Sequence, residues 1–267
     1  MLLEKLSQYA DRLDLPPPMY QKTPIRWLIE LDSKGNLIGF VPTSSEGKRG
    51  KSERGKEYEA PHIGRSSGVK AKLLADNSEY VLGLAREKSK QGRVGECHQA
   101  FVEQIRECAK VTGEKTVTIV LGFLERLALG SLPFPKDLDP GQNLTFRVEG
   151  VLPIELESVQ GYWATVANAD EQTETEQPNP LMQCLICGEH RSAVKRLPFK
   201  IKRIPGGQSS GMALISANAP AFESYGLEAS LIAPTCQFCG ERFSKAANAL
   251  IESEHSHITV GPIVYLF

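Results

Sequence analysis

The chain lacks several things that would settle its class at once. No apolar run approaches the ~18 residues that a membrane-spanning helix needs, so no transmembrane segment is expected. The first residues, Met1-Leu-Leu-Glu-Lys-Leu6, lack the basic start, apolar centre and small-residue cleavage site of a secretory signal. A reducing, cytoplasmic compartment is therefore expected, where paired cysteines serve more often as metal ligands than as disulfides. Net charge is also missing: 31 Lys and Arg meet 32 Asp and Glu, so no global field points to a polyanionic partner. Aromatics are sparse at 7%, and no internal repeat is visible. No carboxylate pair and no Ser/His/Asp array suggests catalysis, and the chain is read as a non-enzyme.

What is present is local. Two Cys-x-x-Cys pairs, Cys184/Cys187 and Cys236/Cys239, stand apart from the rest. Each pair can form a knuckle that offers two thiolates from one tight turn, and two knuckles complete a tetrahedral four-sulfur site. Gly188 and Gly240 follow the knuckles, as such turns favour. Four thiolates leave no open position, so the expected ion is structural zinc rather than a catalytic one. The plainer alternative is a set of unligated or partly oxidised thiols. Redox use is disfavoured, because no thioredoxin-like βαβ pattern surrounds either pair. Cys97 and Cys108 fall on an apolar helix face and read as core.

Between the knuckles lies a basic run. From Arg191 to Arg203 there are 6 Lys/Arg and no acid. The loop Gly206-Gly-Gln-Ser-Ser-Gly211 follows, and successive backbone N–H groups there could form an anion-binding nest. It is not a P-loop, since no Gly-Lys-Ser/Thr closes it. A second basic region, Glu46 to Arg93, holds 12 Lys/Arg against 7 Asp/Glu. Such regions can track phosphates, or can simply be solvated loops. His255, His257 and Asn248 invite comparison with His-Asn-His nucleases, but their order and spacing do not fit that core.

Coarse elements can be placed. Residues 1–13 carry helical apolar spacing that ends at Pro16-Pro17-Pro18. Ile25–Leu31, a turn at Asp32–Asn36 and Leu37–Val41 predict a β-hairpin. Residues 43–70 read as one long loop. Asp76 or Asn77 is expected to cap a helix toward Lys90. Cys97–Val111 reads as helix with Gly113 as its C-cap. Thr116–Leu129 is ambiguous, Leu144–Val148 alternates as a strand, Arg242–Ile251 suits a helix, and Ile258–Phe267 reads as strand. The expected class is α+β, with mixed helices and antiparallel sheet and a zinc-knuckle-stapled insertion. The expected layout is an N-terminal α+β domain over 1–167, a polar linker over 168–183, and a Cys-x-x-Cys-bracketed subdomain over 184–267. Because the last residues are an apolar strand, that subdomain is expected to continue in a longer protein or to be completed by a partner.

Several segments together resemble the large subunit of the type I-C CRISPR Cascade complex. They are Pro24-Ile-Arg-Trp-Leu-Ile-Glu-Leu-Asp32 with Gly35-Asn-Leu-Ile-Gly39, then Leu73-Leu-Ala-Asp-Asn-Ser-Glu-Tyr-Val-Leu-Gly83. Phe146-Arg-Val-Glu-Gly150 and Tyr162-Trp163 follow, then Pro205 through Gly226, with Asn218-Ala-Pro-Ala-Phe-Glu-Ser-Tyr-Gly226 at its end. The resemblance covers nearly the whole chain in order, whereas family members continue into a helical C-terminal region. It implies a non-enzymatic subunit of an RNA-guided complex, in which base pairing reads the target and protein reads a short protospacer-adjacent motif (PAM) on the duplex. It implies as partners the backbone and guide-RNA-processing subunits, the guide RNA, the double-stranded target and a helicase-nuclease. The residues expected at DNA are Arg65, Lys70, Lys72 and Asn77 in one patch. In the other they are Lys195, Arg196, Lys200, Lys202, Arg203, Gln208 and Ser209. Asn77 and Gln208 are expected at base edges or as a wedge. The alternatives are a zinc-associated His-Asn-His nuclease, or a scaffold that binds guide RNA and other subunits.

Overall fold

The computed structural model describes residues 2–43, 54–65, 68–86, 89–127, 132–173, 179–208, 210–261 and 263–266. The chain divides into two compact units, 16–167 and 1–15 with 168–267.

The unit 16–167 is built on a four-stranded sheet. The expected hairpin forms from β2 (Trp27–Leu31) and β3 (Leu37–Pro42), antiparallel, with a bulge at Glu30/Leu31; β1 is Tyr20–Ile25. Asp32 organises the turn: its carboxylate accepts from the backbone N–H of Lys34 at 2.9 Å and of Asn36 at 2.8 Å. Gly35 takes the left-handed conformation at φ 77°. The remaining sheet strands are β5 (Ala75–Asn77) and β6 (Asn143–Val148); β4 (Lys56–Pro61) lies between them and β3 in the chain. Sheet order is β3-β2-β6-β5. The pairs are antiparallel except β2–β6, which is parallel. A parallel pair needs a long crossover, and 111 residues separate Leu31 from Asn143. In β2, Trp27, Leu28, Ile29 and Leu31 are all buried, so alternation holds only at Glu30. Glu30 sits opposite Arg147 and accepts from its guanidinium, the cross-strand charge pair expected of directly facing residues.

Helices cover this sheet. After a one-turn α2 (Ser78–Val81), α3 runs from Gln91 to Thr112 and α4 from Lys115 to Glu125. Of the predicted α3 face, Cys97, Phe101, Ile105 and Cys108 are buried and Ala109 is half-buried. Gly113 ends α3 at φ 67°, its N–H donating to Ala109 at 3.0 Å. Burial pushes the Cys108 thiol up to about 12, consistent with a core residue. Phe101 and Phe123 pack on Phe146, with centroids 6.5 and 6.3 Å apart. In α5 (Glu157–Thr173), Trp163 is fully buried and its indole N–H donates to the Met19 carbonyl at 3.1 Å.

In the second unit, α1 (Leu2–Tyr9) lies against α6 (Gln237–Glu252). Leu6 and Ala10 share a core with Ile201, Phe243, Ala246, Ala247 and Ile251. Arg242 fastens this pairing: it donates to the Ser7 carbonyl at 2.7 Å and meets Asp11 at 2.6 Å. Two small antiparallel hairpins complete the unit, β7 (Leu181–Gln183) with β8 (His190–Ser192), and β9 (His257–Val260) with β10 (Ile263–Leu266).

The structure departs from the expected elements in four places. The loop over 43–70 contains β4, which pairs with β1 in a separate two-stranded sheet; its sequence, KEYEAP, is too polar to announce a strand. The helix expected from Asn77 toward Lys90 stops after one turn, at Leu82. The 168–183 segment is not all linker, since α5 extends to Thr173 and β7 begins at Leu181. The terminal strand over 258–267 is a hairpin that turns at Gly261, φ 58°. Among the described residues, no helix is long and apolar enough to cross a membrane.

Candidate metal centre and nucleic-acid interface

The four knuckle cysteines converge. Their Sγ atoms all lie within 4.8 Å of one another; Cys184, Cys236 and Cys239 are buried and Cys187 is exposed. A tetrahedral zinc with Zn–S bonds near 2.3 Å has sulfur–sulfur edges of about 3.8 Å, so a small contraction would seat an ion. Local structure explains the convergence. β7 delivers Cys184, whose carbonyl accepts from Gly188 N–H at 2.9 Å, while Gly188 adopts φ 75°. Cys236 caps α6 and Cys239 lies in its first turn, with Gly240 N–H donating to the Cys236 carbonyl at 2.9 Å. A Cβ on Gly240 would stand 2.9 Å from the Leu197 side chain, so glycine lets α6 approach there. The knuckles are sewn together by Leu185 N–H to Pro234 O and Val194 N–H to Thr235 O, and Cys236 N–H reaches Cys184 Sγ at 3.4 Å.

The thiols are unequal. Burial raises Cys184, but N–H groups of Cys187, Cys236 and Ile186 outweigh it and bring the thiol down to about 7. Burial pushes Cys236 and Cys239 up, and for both the charge of a neighbouring thiolate adds to it. Cys184 therefore forms a thiolate readily, whereas Cys236 and Cys239 need a cation to hold their charge. The four cysteines can hold a metal ion, and the donor set is compatible with zinc.

The first basic patch is organised by Asp76, considered from sequence only as a cap. Its carboxylate is 1% exposed. It accepts from the Arg65 guanidinium through both oxygens, from Lys72 N–H at 3.1 Å and from Asn77 N–H at 2.9 Å. Arg65 also donates to the Lys70 carbonyl at 2.7 Å and stacks over the Tyr80 ring at 4.2 Å. Its guanidinium thus fixes the loop that carries Lys70 and Lys72. Leu74 holds a left-handed backbone at φ 58°, and its carbonyl accepts from the buried Thr145 hydroxyl at 3.0 Å. Asn77 is the N-cap of α2, accepting from Glu79 N–H at 3.0 Å. Lys70, Lys72 and Asn77 are half-buried. No sequence signal marks Asp76 as an anchor, since its partners come from three separate positions.

The second patch is less bare than its sequence. Three of its six cations meet acids from outside the run: Arg191 with Glu189, Lys195 with Glu228 at 2.6 Å, and Arg203 with Glu252 at 2.9 Å. Arg196, Lys200 and Lys202 are exposed. The glycine loop spends two of its N–H donors internally, Gly207 to Ile204 O and Gly211 to Gln208 O, both at 2.9 Å. Gly211 (φ 89°) is required by packing, because a Cβ there would lie 2.8 Å from Lys200 Cβ. Gln208 is exposed, and Ser209 lies outside the described residues. Asn248 clamps this segment: its side chain accepts from Lys202 N–H at 2.8 Å and donates to Lys200 O at 2.9 Å. His257 Nδ1 contacts Ser253 O at 2.7 Å. Both polar ends of Asn248 are thereby engaged by backbone.

No curated protein matches the chain. Residues 3–267 match the family model described as CRISPR-associated protein (Cas_Csd1), which sets the class as a CRISPR-associated protein. The chain belongs to that family, and it is a subunit of the type I-C Cascade complex, matching the large-subunit resemblance noted from sequence.

Proposed function

We propose that this chain is the non-enzymatic subunit that recognises the PAM on double-stranded DNA, helps open the target and supports recruitment of the helicase-nuclease. The observation that carries the proposal is the locked segment 68–77 with Arg65 packed on it. A buried carboxylate, a left-handed leucine and a stacked arginine hold Lys70, Lys72 and Asn77 in fixed places. Fixed cations and amides suit recognition, because ordering costs are met before the ligand arrives. In this proposal Lys72 contacts phosphate, Asn77 reads a base edge or acts as a wedge, Arg65 serves chiefly to position them, and Lys70, whose ammonium is buried, would reach a phosphate only by turning outward. In the other unit, Arg196, Lys200, Lys202 and Gln208 contact nucleic acid, with Lys195 and Arg203 tempered by their acidic partners. Zinc at the four cysteines is structural: it ties both ends of the segment that bears these residues.

The test uses the assembled complex and duplexes with varied flanking bases. Lys72→Glu and Lys202→Glu should each weaken target binding, and each lost phosphate contact should flatten the salt dependence by about 0.9 in log–log slope. Unchanged binding by both variants across salt concentrations would falsify the patch assignment. Crosslinking to the guide RNA but never to the duplex flank would favour the scaffold alternative.

A further inference from the structure

An arm rises between Ala217 and Ala229. Its base is closed by an antiparallel bridge between these two residues, with Ala217 N–H donating to Ala229 O at 3.0 Å. Below it, buried Ser230 donates its N–H to Lys195 O at 3.1 Å and its hydroxyl to Ile215 O at 2.9 Å. The tip is the tight turn Ser224-Tyr225-Gly226-Leu227, with Leu227 N–H returning to Ser224 O at 2.9 Å. Tyr225 (φ 56°) and Gly226 (φ 71°) are both left-handed. Ala229 is also unusual, at φ 49° and ψ −123°. Strained non-glycine residues persist where surrounding contacts over-determine them. Here the base is fixed, yet the tip buries nothing: Phe222 is 63% exposed and Tyr225 fully exposed.

Charge decides what such a tip can meet. Bases stack on aromatic side chains that stand in basic grooves. No Lys or Arg occurs between Arg203 and Arg242. The arm carries Glu223 and Glu228 instead; Glu228 is held by Lys195, and Glu223 has no ion-pair partner among the described residues. An anionic aromatic tip repels a phosphate backbone and suits a protein surface, where tyrosine is a frequent anchor.

We propose that the 217–229 arm docks this chain onto another protein subunit of its complex. Tyr225 and Phe222 enter an apolar pocket whose rim carries Lys or Arg facing Glu223. This goes beyond the DNA-reading proposal and does not depend on it.

The test is incorporation of the full chain into a guide-RNA-bound complex purified without it, followed by native mass spectrometry or a binding titration. Tyr225→Asn keeps a residue tolerant of the left-handed turn and removes the ring; it should weaken incorporation by about 30-fold or more. Tyr225→Phe should stay within about threefold of wild type, and Glu223→Lys should weaken incorporation most at low salt. Each variant's thermal unfolding should match the wild type, since the tip contributes no core. A photoreactive phenylalanine at position 225 should crosslink to protein. Normal incorporation by Tyr225→Asn overturns the proposal. So does crosslinking at 225 to guide RNA or DNA, which would make the arm a base-stacking element.

Discussion

Replacing Asp76 should loosen the 68–77 segment and its Arg65 contact measurably. Asp76→Ala removes the acceptor for two backbone N–H groups, of Lys72 and Asn77, and for the Arg65 guanidinium. A buried donor left unsatisfied costs about 1–3 kcal/mol, so the two amides together cost about 2–6 kcal/mol. The Arg65 side chain is 30% exposed and can turn to water, so its lost ion pair adds at most about 1 kcal/mol. Relaxation of Leu74 from its left-handed conformation offsets about 1–2 kcal/mol. The net loss expected is about 2–4 kcal/mol. Asp76→Asn should recover little, because its amide group would face donors. The assay is favourable: the chain has two tryptophans, Trp27 and Trp163, both buried and both within 16–167. Their fluorescence therefore reports the unit that contains Asp76. With a urea slope of about 1–3 kcal/mol/M, the midpoint should fall by about 1–2 M. A midpoint within about 0.3 M of wild type would refute the claim that this carboxylate locks the loop. In the assembled complex the same variant should lose discrimination between flanking motifs more than it loses general DNA affinity.

Other outcomes follow from the same structure. The purified chain should carry one zinc per molecule, and chelation or Cys239→Ser should open the 184–252 segment to limited proteolysis while tryptophan fluorescence changes little. Metal retention should fall as pH drops below about 6, because protons compete for thiolates and the Cys184 thiol has a value of about 7; retention that survives replacement of Cys184 and Cys239 together would show that the ion is held by something other than these sulfurs. Gly211→Ala should destabilise the loop by about 1–3 kcal/mol, read as faster hydrogen exchange at Lys200–Met212, since its Cβ would meet Lys200 Cβ at 2.8 Å. Phe243→Ala should cost about 3–5 kcal/mol in the unit that contains α1 and α6, visible as an early transition by far-ultraviolet circular dichroism.

What the sequence reveals is what local chemistry dictates. The β2–β3 hairpin was legible because Asp32-Ser-Lys-Gly-Asn36 has the turn residues that the observed hydrogen bonds use. Helix α3 was legible from its apolar face and from Gly113. The cysteine cluster was legible because two knuckles with one ion in common are a spacing problem. The failures have a shared cause. β4 gains its place only by pairing with β1, so nothing in KEYEAP declares it. The short α2 looked longer because capping marks where a helix starts and not where packing stops it.

Charge shows the same limit more sharply. A run of six cations without an acid suggests an exposed basic strip, yet Glu189, Glu228 and Glu252 reach three of them from elsewhere. Exposed pairs of this kind hold weakly, at about 0–1 kcal/mol. A phosphate could therefore displace Glu189 or Glu252 at little cost. Lys195 is different, because its backbone also anchors Ser230 and hence the arm above it. Moving Lys195 to a phosphate would release Glu228 beside that anchor and add negative charge to the arm. The proposed functions thus divide the second patch: the exposed Arg196, Lys200 and Lys202 would meet nucleic acid, and Lys195 would serve the arm. On this division Lys195→Ala should impair subunit incorporation more than DNA affinity. Lys202→Glu should do the reverse, and equal loss of both properties in the two variants would rule the division out.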